Sequence, residues 1–396
     1  MNFIVVSPHF PRTYWNFCDR LKKMGVRVLG IGDAPYDSLA PEVTRSLDEY
    51  YYLPNMESYE EMRRAVAFFA SKYGRIHWIE SNNEYWLEQD ARLRQDFNIK
   101  TGVQPDEVRF FKSKAEMKIK YAQANVPTAR CAKVENWEQT AAFLENVGFP
   151  AIAKPEKGVG AAHTYKLESL DDVRRFFEEK PDEPYVCEEF ITGDVYSYDA
   201  ITDANATPLF ESSTVWPPSI ADIVNKGLDL AYYVNRDDLP KLYELGRRTA
   251  KAFNAFNRFI HLEFFRLTQP KKNLADVGDF VALEVNMRPA GGYTPDMMNF
   301  AHSVDVYQIW AEMVVNGVWK DDRPRRNYYC AYASRKDGKR YAHTHEEVLD
   351  RYGAVMKMCE EMPEMMHETM GRQMYTVRVD TKEEVDEFIR FVHERE

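Results

Sequence analysis

The stretch Asp279–Gly292, DFVALEVNMRPAGG, constrains this chain more than any other. It reads as a strand, which rises about 3.3 Å per residue and sends successive side chains to opposite faces. Glu284, Asn286 and Arg288 then project on one face, while Val281, Leu283 and Val285 pack on the other. An acid, an amide and a guanidinium in one row are costly to bury unless each finds a partner. A divalent cation together with a polyanion satisfies all three. A second run, Phe259–Phe265, places Phe259, His261, Glu263 and Phe265 on one face, so Glu263 is the candidate second carboxylate. For the acid-x-Asn-x-Arg run alone, a strand with a salt-bridged edge carries equal weight, because so short a motif recurs by chance.

Two lysines shift that balance. Ser113-Lys114-Ala115-Glu116 has capping-box spacing, which puts Lys114 in the first turn of a helix. The helix dipole disfavours a cation there, so a nearby anion is expected. Lys118 and Lys120 are rivals for the same role, and Lys114 is preferred. The helix is stopped at Asn125 by Val126-Pro127. Phe149–Pro155 is a short apolar strand finishing in Lys154, whose head needs an anion or else snorkels to solvent. Glu156–His163 follows, and its Gly158 and Gly160 let backbone N–H groups approach an anion closely. A plain hairpin turn explains these glycines as well, and His163 reads as a solvated loop histidine.

The formal net charge of -11 argues against a general nucleic-acid binder. An acidic chain that holds a polyanion must concentrate its Lys and Arg locally. Five cysteines are scattered with no C-x-x-C pair, which suits reduced thiols in a cytoplasm better than a disulfide scaffold or a zinc site. The N-terminus lacks a basic leader, and no apolar run approaches the ~20 residues of a membrane span, so a soluble cytoplasmic protein is expected. At 396 residues, two or three subdomains are expected.

Phe3–Val6, a helix to Met24 and Val26–Ile31 form a strand-helix-strand unit, the start of a parallel Rossmann-like sheet. Its first turn has no glycine triplet, so a dinucleotide fingerprint is absent. His9 and Arg12 in that turn are candidates for a substrate carboxylate, with a surface loop an equal alternative. Helices are expected over 57–73, 84–97, 239–256, 304–316 and 382–394. The aperiodic stretch 216–235 is either a substrate-specific loop or a surface excursion. Met356, Met358, Met362, Met365, Met366 and Met370 suggest a subdomain core or dimer surface rather than a metal site. His343 and His345 lack a third ligand and read as solvent-exposed.

Taken in order, Lys114, Lys154, the Gly158–Gly160 loop, the Glu188–Ile191 hinge, Glu263 and Glu284-x-Asn286-x-Arg288 resemble the ATP-grasp superfamily. The likeness is to its carboxylate–amine ligases, with a layout like biotin carboxylase and carbamoyl-phosphate synthase. It covers roughly residues 1–320 and is strongest from Lys114 to Gly292. The resemblance implies an α/β chain: a Rossmann-like domain (1–110), a small ATP-grasp subdomain with lid and adenine hinge (111–195), a large one with the metal site (196–320), and a small C-terminal α+β extension (321–396). It implies ATP and Mg²⁺ or Mn²⁺ as cofactors. Lys114, Lys154, Gly158 and Gly160 would meet phosphate, and Glu263, Glu284 and Asn286 the metal. The Glu189 carbonyl and Ile191 N–H would hold adenine, with Glu188 near its amino group. Asp194 is a guess for ribose, displaced by one from the family's position at Val195. Arg288, with Lys154, would be catalytic.

The activity so implied is ligation of a small-molecule carboxylate to an amine through an acylphosphate. A homodimer is expected, with neither nucleic acid nor membrane as partner. Biotin carboxylases carry Gln-Val-Glu-His after the arginine, whereas this chain has Pro289-Ala290-Gly291-Gly292-Tyr293, which counts against bicarbonate chemistry. A nucleotide-binding sensor or scaffold without ligase activity is the rival of a different class.

Overall fold

The computed structural model describes residues 1–157, 163–217, 227–321 and 323–396, and of Met365 only the backbone. Strands β1 (Asn2–Val6), β2 (Arg27–Gly32), β3 (Glu49–Tyr52) and β4 (Trp78–Glu80) form a parallel sheet in the order β3-β2-β1-β4. A parallel sheet is stable only when both faces are covered, and alternation in β1 achieves this. Phe3 and Val5 pack with Phe17 and Leu21 of helix Trp15–Lys23, while Ile4 and Val6 pack with Met62, Val66 and Phe69 of helix Tyr59–Tyr73.

A second sheet, order β5-β8-β6-β7, is antiparallel: β5 (Cys131–Val134), β6 (Ala151–Pro155), β7 (Tyr165–Leu167) and β8 (Tyr185–Glu189). Helices Trp137–Val147 and Leu170–Glu179 cover one face, with Leu144, Val173 and Phe176 against Ala151, Ala153 and Cys187. Strand alternation sends Lys154 and Glu188 to the opposite face. That places both in front of the third sheet.

This third sheet has eight strands, all neighbours antiparallel, in the order β13-β12-β9-β10-β11-β14-β16-β15. They are β9 (Gly193–Thr202), β10 (Pro208–Trp216), β11 (Ala231–Val234), β12 (Arg258–Leu267), β13 (Phe280–Asn286), β14 (Tyr329–Arg335), β15 (Met356–Glu361) and β16 (Gln373–Val379). The expected C-terminal extension therefore has no sheet of its own. Its β14 pairs with β11, whose edge would otherwise leave backbone N–H and C=O groups without partners.

Helix Pro240–Ala252 lies against β9 and β13 through Leu242 and Ala250. Gly246 lets it approach closely, since a Cβ there would sit 2.3 Å from the Tyr198 ring. The helix stops short of the expected Phe256, because Asn254 and Asn257 take left-handed φ of 52° and 51°. Helix Thr294–His302, with Pro295 in its first turn, was not foreseen. Within the methionine-dense segment Met362 is buried, and the half-buried Met358, Met366 and Met370 pack against the same cluster, which includes Tyr232 and Tyr293. His343 and His345 are half-buried rather than solvated, His343 stacked on Phe391 and His345 bonded to the Tyr375 hydroxyl.

A buried ionic knot ties the first sheet to the third. Arg94, fully excluded from solvent, donates to the carbonyls of Ile79 and Val103 and lies 3.0 Å from Glu80 Oε2. Arg258 lies 3.2 Å from the same oxygen and donates to the Met287 carbonyl at 2.6 Å. The backbone leading into Arg288 is thereby anchored from the N-terminal sheet.

Candidate active site

Glu263 and Glu284 are directly opposed across β12 and β13, as are His261 and Asn286. Opposed side chains have Cβ atoms about 4.5–5.5 Å apart, so the two carboxylates share one site. The register then slips: Phe264 pairs with Ala282, leaving Leu283 as an extra residue in β13. This corrects the simple alternation expected from sequence. Val281 falls on the same face as Glu284 and joins Ala129, Ile191 and Leu267 in a small apolar cluster, while Ala282 and Val285 face the helix-covered side.

The electrostatics of the pair are unbalanced. Burial raises the Glu284 pKa, and repulsion from Glu263 raises it further against the pull of Lys114 and Lys154. Glu263 goes the other way: burial would raise it, but hydrogen bonding and charge from His261, then Arg288 and Lys154, hold it low. A proton on Glu284 and a cation between the two acids are alternative ways of relieving the same repulsion.

Lys154 lies 2.5 Å from Glu188 Oε2, and Lys118 lies 2.9 Å from Oε1. Burial alone would raise the Glu188 pKa, yet the two ammonium groups hold it at about 2. Burial likewise depresses Lys154, and Glu188 more than offsets it. Lys114 opens helix Lys114–Gln123 as expected, behind the Ser113 cap, whose hydroxyl accepts from Glu116 N–H and donates to Glu156. Glu116 does not complete a capping box; it reaches towards Arg109 instead. Burial depresses the Lys114 pKa, with Glu284 pulling up and Lys154 pushing down. These cross-influences place Lys114, Lys154, Glu188, Glu263 and Glu284 around one space. Arg288 borders it, with Nη2 3.4 Å from Asn286 Oδ1, Nη1 bonded to the Pro289 carbonyl and Nε 3.8 Å from Glu84.

The hinge divides its roles. The Glu189 side chain is buried against Arg130, so it anchors β8, while Ile191 lines the apolar cluster with Val281. Asp194 does not join the site. It is exposed on β9, and strand alternation puts it on the face opposite Ser197 and Asp199, which share a face with Glu263. Val195, where the family carries its acid, is on the site's side, so the one-residue displacement changes the face. Gly158 and Gly160 lie outside the described residues, as does the stretch 218–226 within the aperiodic region. His9 and Arg12 are engaged by Asp33 and Glu360, and His163 by Glu183.

Glu84 and the His261–Asp199 pair escaped the sequence reading, and Lys118 entered it only as a rival to Lys114. Lys118 had a signal, since it sits one turn after Lys114 on the same helix face. Glu84, 2.8 Å from Lys112, and Asp199, 62 residues from His261, had none. His261 donates to Asp199 Oδ1 at 2.7 Å and lies 3.2 Å from Glu263 Oε1. Burial would lower its pKa, but Asp199 and then Glu263 raise it to about 9.

The donor set suits a hard cation. Two carboxylates and the Asn286 amide oxygen are oxygen ligands of the kind Mg²⁺ takes, its remaining positions being filled by phosphate and water. The Asn286 Nδ2 is buried without a hydrogen-bond partner, consistent with an amide placed for its oxygen. Among the described residues no three His, Cys, Asp or Glu form a metal-holding group. Among them, too, no helix is long and apolar enough to cross a membrane.

No family model matches the chain. An L-arginine-specific L-amino acid ligase of Bacillus subtilis is 23% identical over 292 residues, spanning 71% of this chain and 67% of that protein. Among solved structures, an L-amino acid ligase from Bacillus licheniformis superposes with a TM-score of 0.70 at 14% identity, covering 98% of this chain and 96% of that one. The biotin carboxylase domain of the Hydrogenobacter thermophilus 2-oxoglutarate carboxylase, solved as a dimer with MgADP and bicarbonate, gives 0.72 at 14% identity, covering 98% and 88%. Opposed acids on β12 and β13, facing lysines on a separate antiparallel sheet, together with these likenesses, show that the chain has the fold of these ligases and carboxylases.

Proposed function

We propose that this protein is an ATP-dependent ligase that joins a carboxylate, from an amino acid or small acid, to an amine, releasing ADP and phosphate. The observation that carries this reading is the Glu263–Glu284 pair, two opposed acids whose repulsion is left for a cation to relieve, set before Lys154 and Lys114. Mg²⁺ held by Glu263, Glu284 and Asn286 would neutralise charge on the phosphates and orient them. Lys154 and Lys114 meet the phosphate oxygens, with ATP competing against Glu188 for the Lys154 ammonium. The apolar cluster of Ala129, Ile191, Leu267 and Val281 receives the purine, whose edge meets the Glu189 carbonyl and the Ile191 N–H.

Arg288 holds the substrate carboxylate or the phosphoryl group in transit, which its planar fork suits. A carboxylate oxygen attacks the γ-phosphorus and the bond to the ADP oxygen breaks, giving an acylphosphate. The amine nitrogen then attacks the acyl carbon, phosphate departs with the bonding pair, and the nitrogen loses a proton. No side-chain nucleophile is required. The chain contributes position and fixed charge.

We take 1–110, 111–195, 196–320 and 321–396 as its units, the last continuing the sheet of the third. A cytoplasmic homodimer is the working assembly we infer; one neighbour is itself a dimer. The test is incubation with Mg-ATP and paired panels of amino acids, other acids and amines. ADP and phosphate should appear in equal amounts, with a product whose mass is the sum of the two substrates less water. Nucleotide binding without turnover across broad panels would instead favour a sensor, and turnover needing bicarbonate a carboxylase.

A further inference from the structure

Two rows of polar side chains cross the third sheet on the face that carries Glu263. The register aligns Thr214, Ser197, Glu263 and Glu284 in one row, and Ser212, Asp199, His261 and Asn286 in the next. Asp199, Ser197 and Thr214 are wholly buried and His261 nearly so. Burying four such groups is unfavourable unless their bonds are satisfied, and an apolar set would serve packing better. Here the bonds run in one direction. Asp199 Oδ2 accepts from Ser197 and from the Thr214 hydroxyl, while Oδ1 accepts from His261 Nδ1 at 2.7 Å. The imidazole is thus held in plane and orientation, and its other nitrogen, Nε2, meets Glu263 Oε1 at 3.2 Å. The Trp216 ring packs edge-on against it at 5.5 Å and closes that side.

We propose that His261, clamped by Asp199, is a positioning residue for Glu263: by occupying Oε1 it holds the carboxylate in one rotamer and leaves Oε2 for the cation. A carboxylate with both oxygens unrestrained has several orientations to lose on binding a metal, and a partner behind it removes that cost. The inference rests on Glu263 being a metal ligand, as read above.

The test measures Mn²⁺ binding to the full-length protein with ADP present, by the free-ion electron paramagnetic resonance signal, so that no turnover is needed. His261→Asn keeps a donor near the Nδ1 position and loses the reach to Glu263. His261→Gln keeps a donor near Nε2. The expected result is a Kd for Mn²⁺ raised about tenfold or more by His261→Asn, with His261→Gln substantially closer to wild type. Equal weakening by both variants, or an unchanged Kd in His261→Asn, overturns the proposal. Should His261→Asn fail to fold, Asp199→Asn, which loosens the clamp from behind, must raise the Kd, and an unchanged value there overturns it equally. Glu263→Gln separates the two levels: normal Mn²⁺ binding in that variant removes the metal-ligand reading and this inference with it, whereas loss there beside an unchanged His261→Asn removes the inference alone.

Discussion

Two buried charge clusters in this molecule use the same residue types to opposite ends. In the knot, Glu80 is shared by Arg94 and Arg258, and both guanidinium groups are further held by backbone carbonyls. Fixed opposite charges and fixed dipoles replace the water that burial removed. In the site, Glu263 and Glu284 oppose each other directly, so each carboxylate faces a like charge. Opposite charges bonded to each other and to the backbone hold elements together, even with Arg258 Nη1 left without a hydrogen-bond partner, whereas like charges set face to face suit something that arrives.

The sharpest way to break this comparison is to neutralise one acid in each cluster. Glu284→Gln should lower ADP release by about 10³-fold, or about 4 kcal/mol in the barrier, with unfolding temperature equal to or above wild type because a repulsion has been removed. Glu80→Gln should do the reverse. It leaves two buried guanidiniums without their counter-charge, a loss of about 3–5 kcal/mol of stability, read by denaturant unfolding. If Glu284→Gln unfolds as readily as Glu80→Gln, the distinction between the clusters fails.

A second contrast is ligand response. Mg-ADP at about 100 times its Kd should stabilise the wild type by about 2.7 kcal/mol, read as a rise in unfolding temperature. An Asp90→Asn variant should show the same rise, and Glu284→Gln little or none. A full response in Glu284→Gln would mean that the acid does not take part in binding.

A third contrast lies in pH dependence. Burial, with Glu80 adding to it, raises the Asp90 pKa to about 7, and its Oδ1 has no hydrogen-bond partner. The folded chain therefore holds a proton between about pH 4 and 7 that the unfolded chain, with an Asp pKa near 3.9, has released. Stability should fall as pH rises through that window, and Asp90→Asn should flatten the fall. Glu188 has the opposite sign: held at about 2 in the folded state, it contributes stability above about pH 4.5 that is lost as pH falls towards 2. Unfolding midpoints measured from pH 4 to 8 in wild type and Asp90→Asn check the first slope.

What the sequence determined by itself were features with short-range causes. Period-two alternation in β12 and β13 set Glu263, Glu284 and Asn286 on one face, and the Ser113 cap set Lys114 in a first helical turn, because both depend only on neighbouring residues. Lys154 was legible as a cation ending an apolar strand. The tertiary structure decided whatever needed a partner from elsewhere in the chain. The extra residue at Leu283 exists only relative to β12, and it moved Val281 to the site's face. Asp194 was lost to the opposite face because the direction of a side chain in a strand is all or nothing per residue. Glu188 between Lys154 and Lys118, and Asp199 beneath His261, pair residues 34, 70 and 62 positions apart, contacts that no local periodicity encodes. Local chemistry selected which groups share the face of the proposed metal site; long-range packing decided what stands behind each one and therefore where its charge can point.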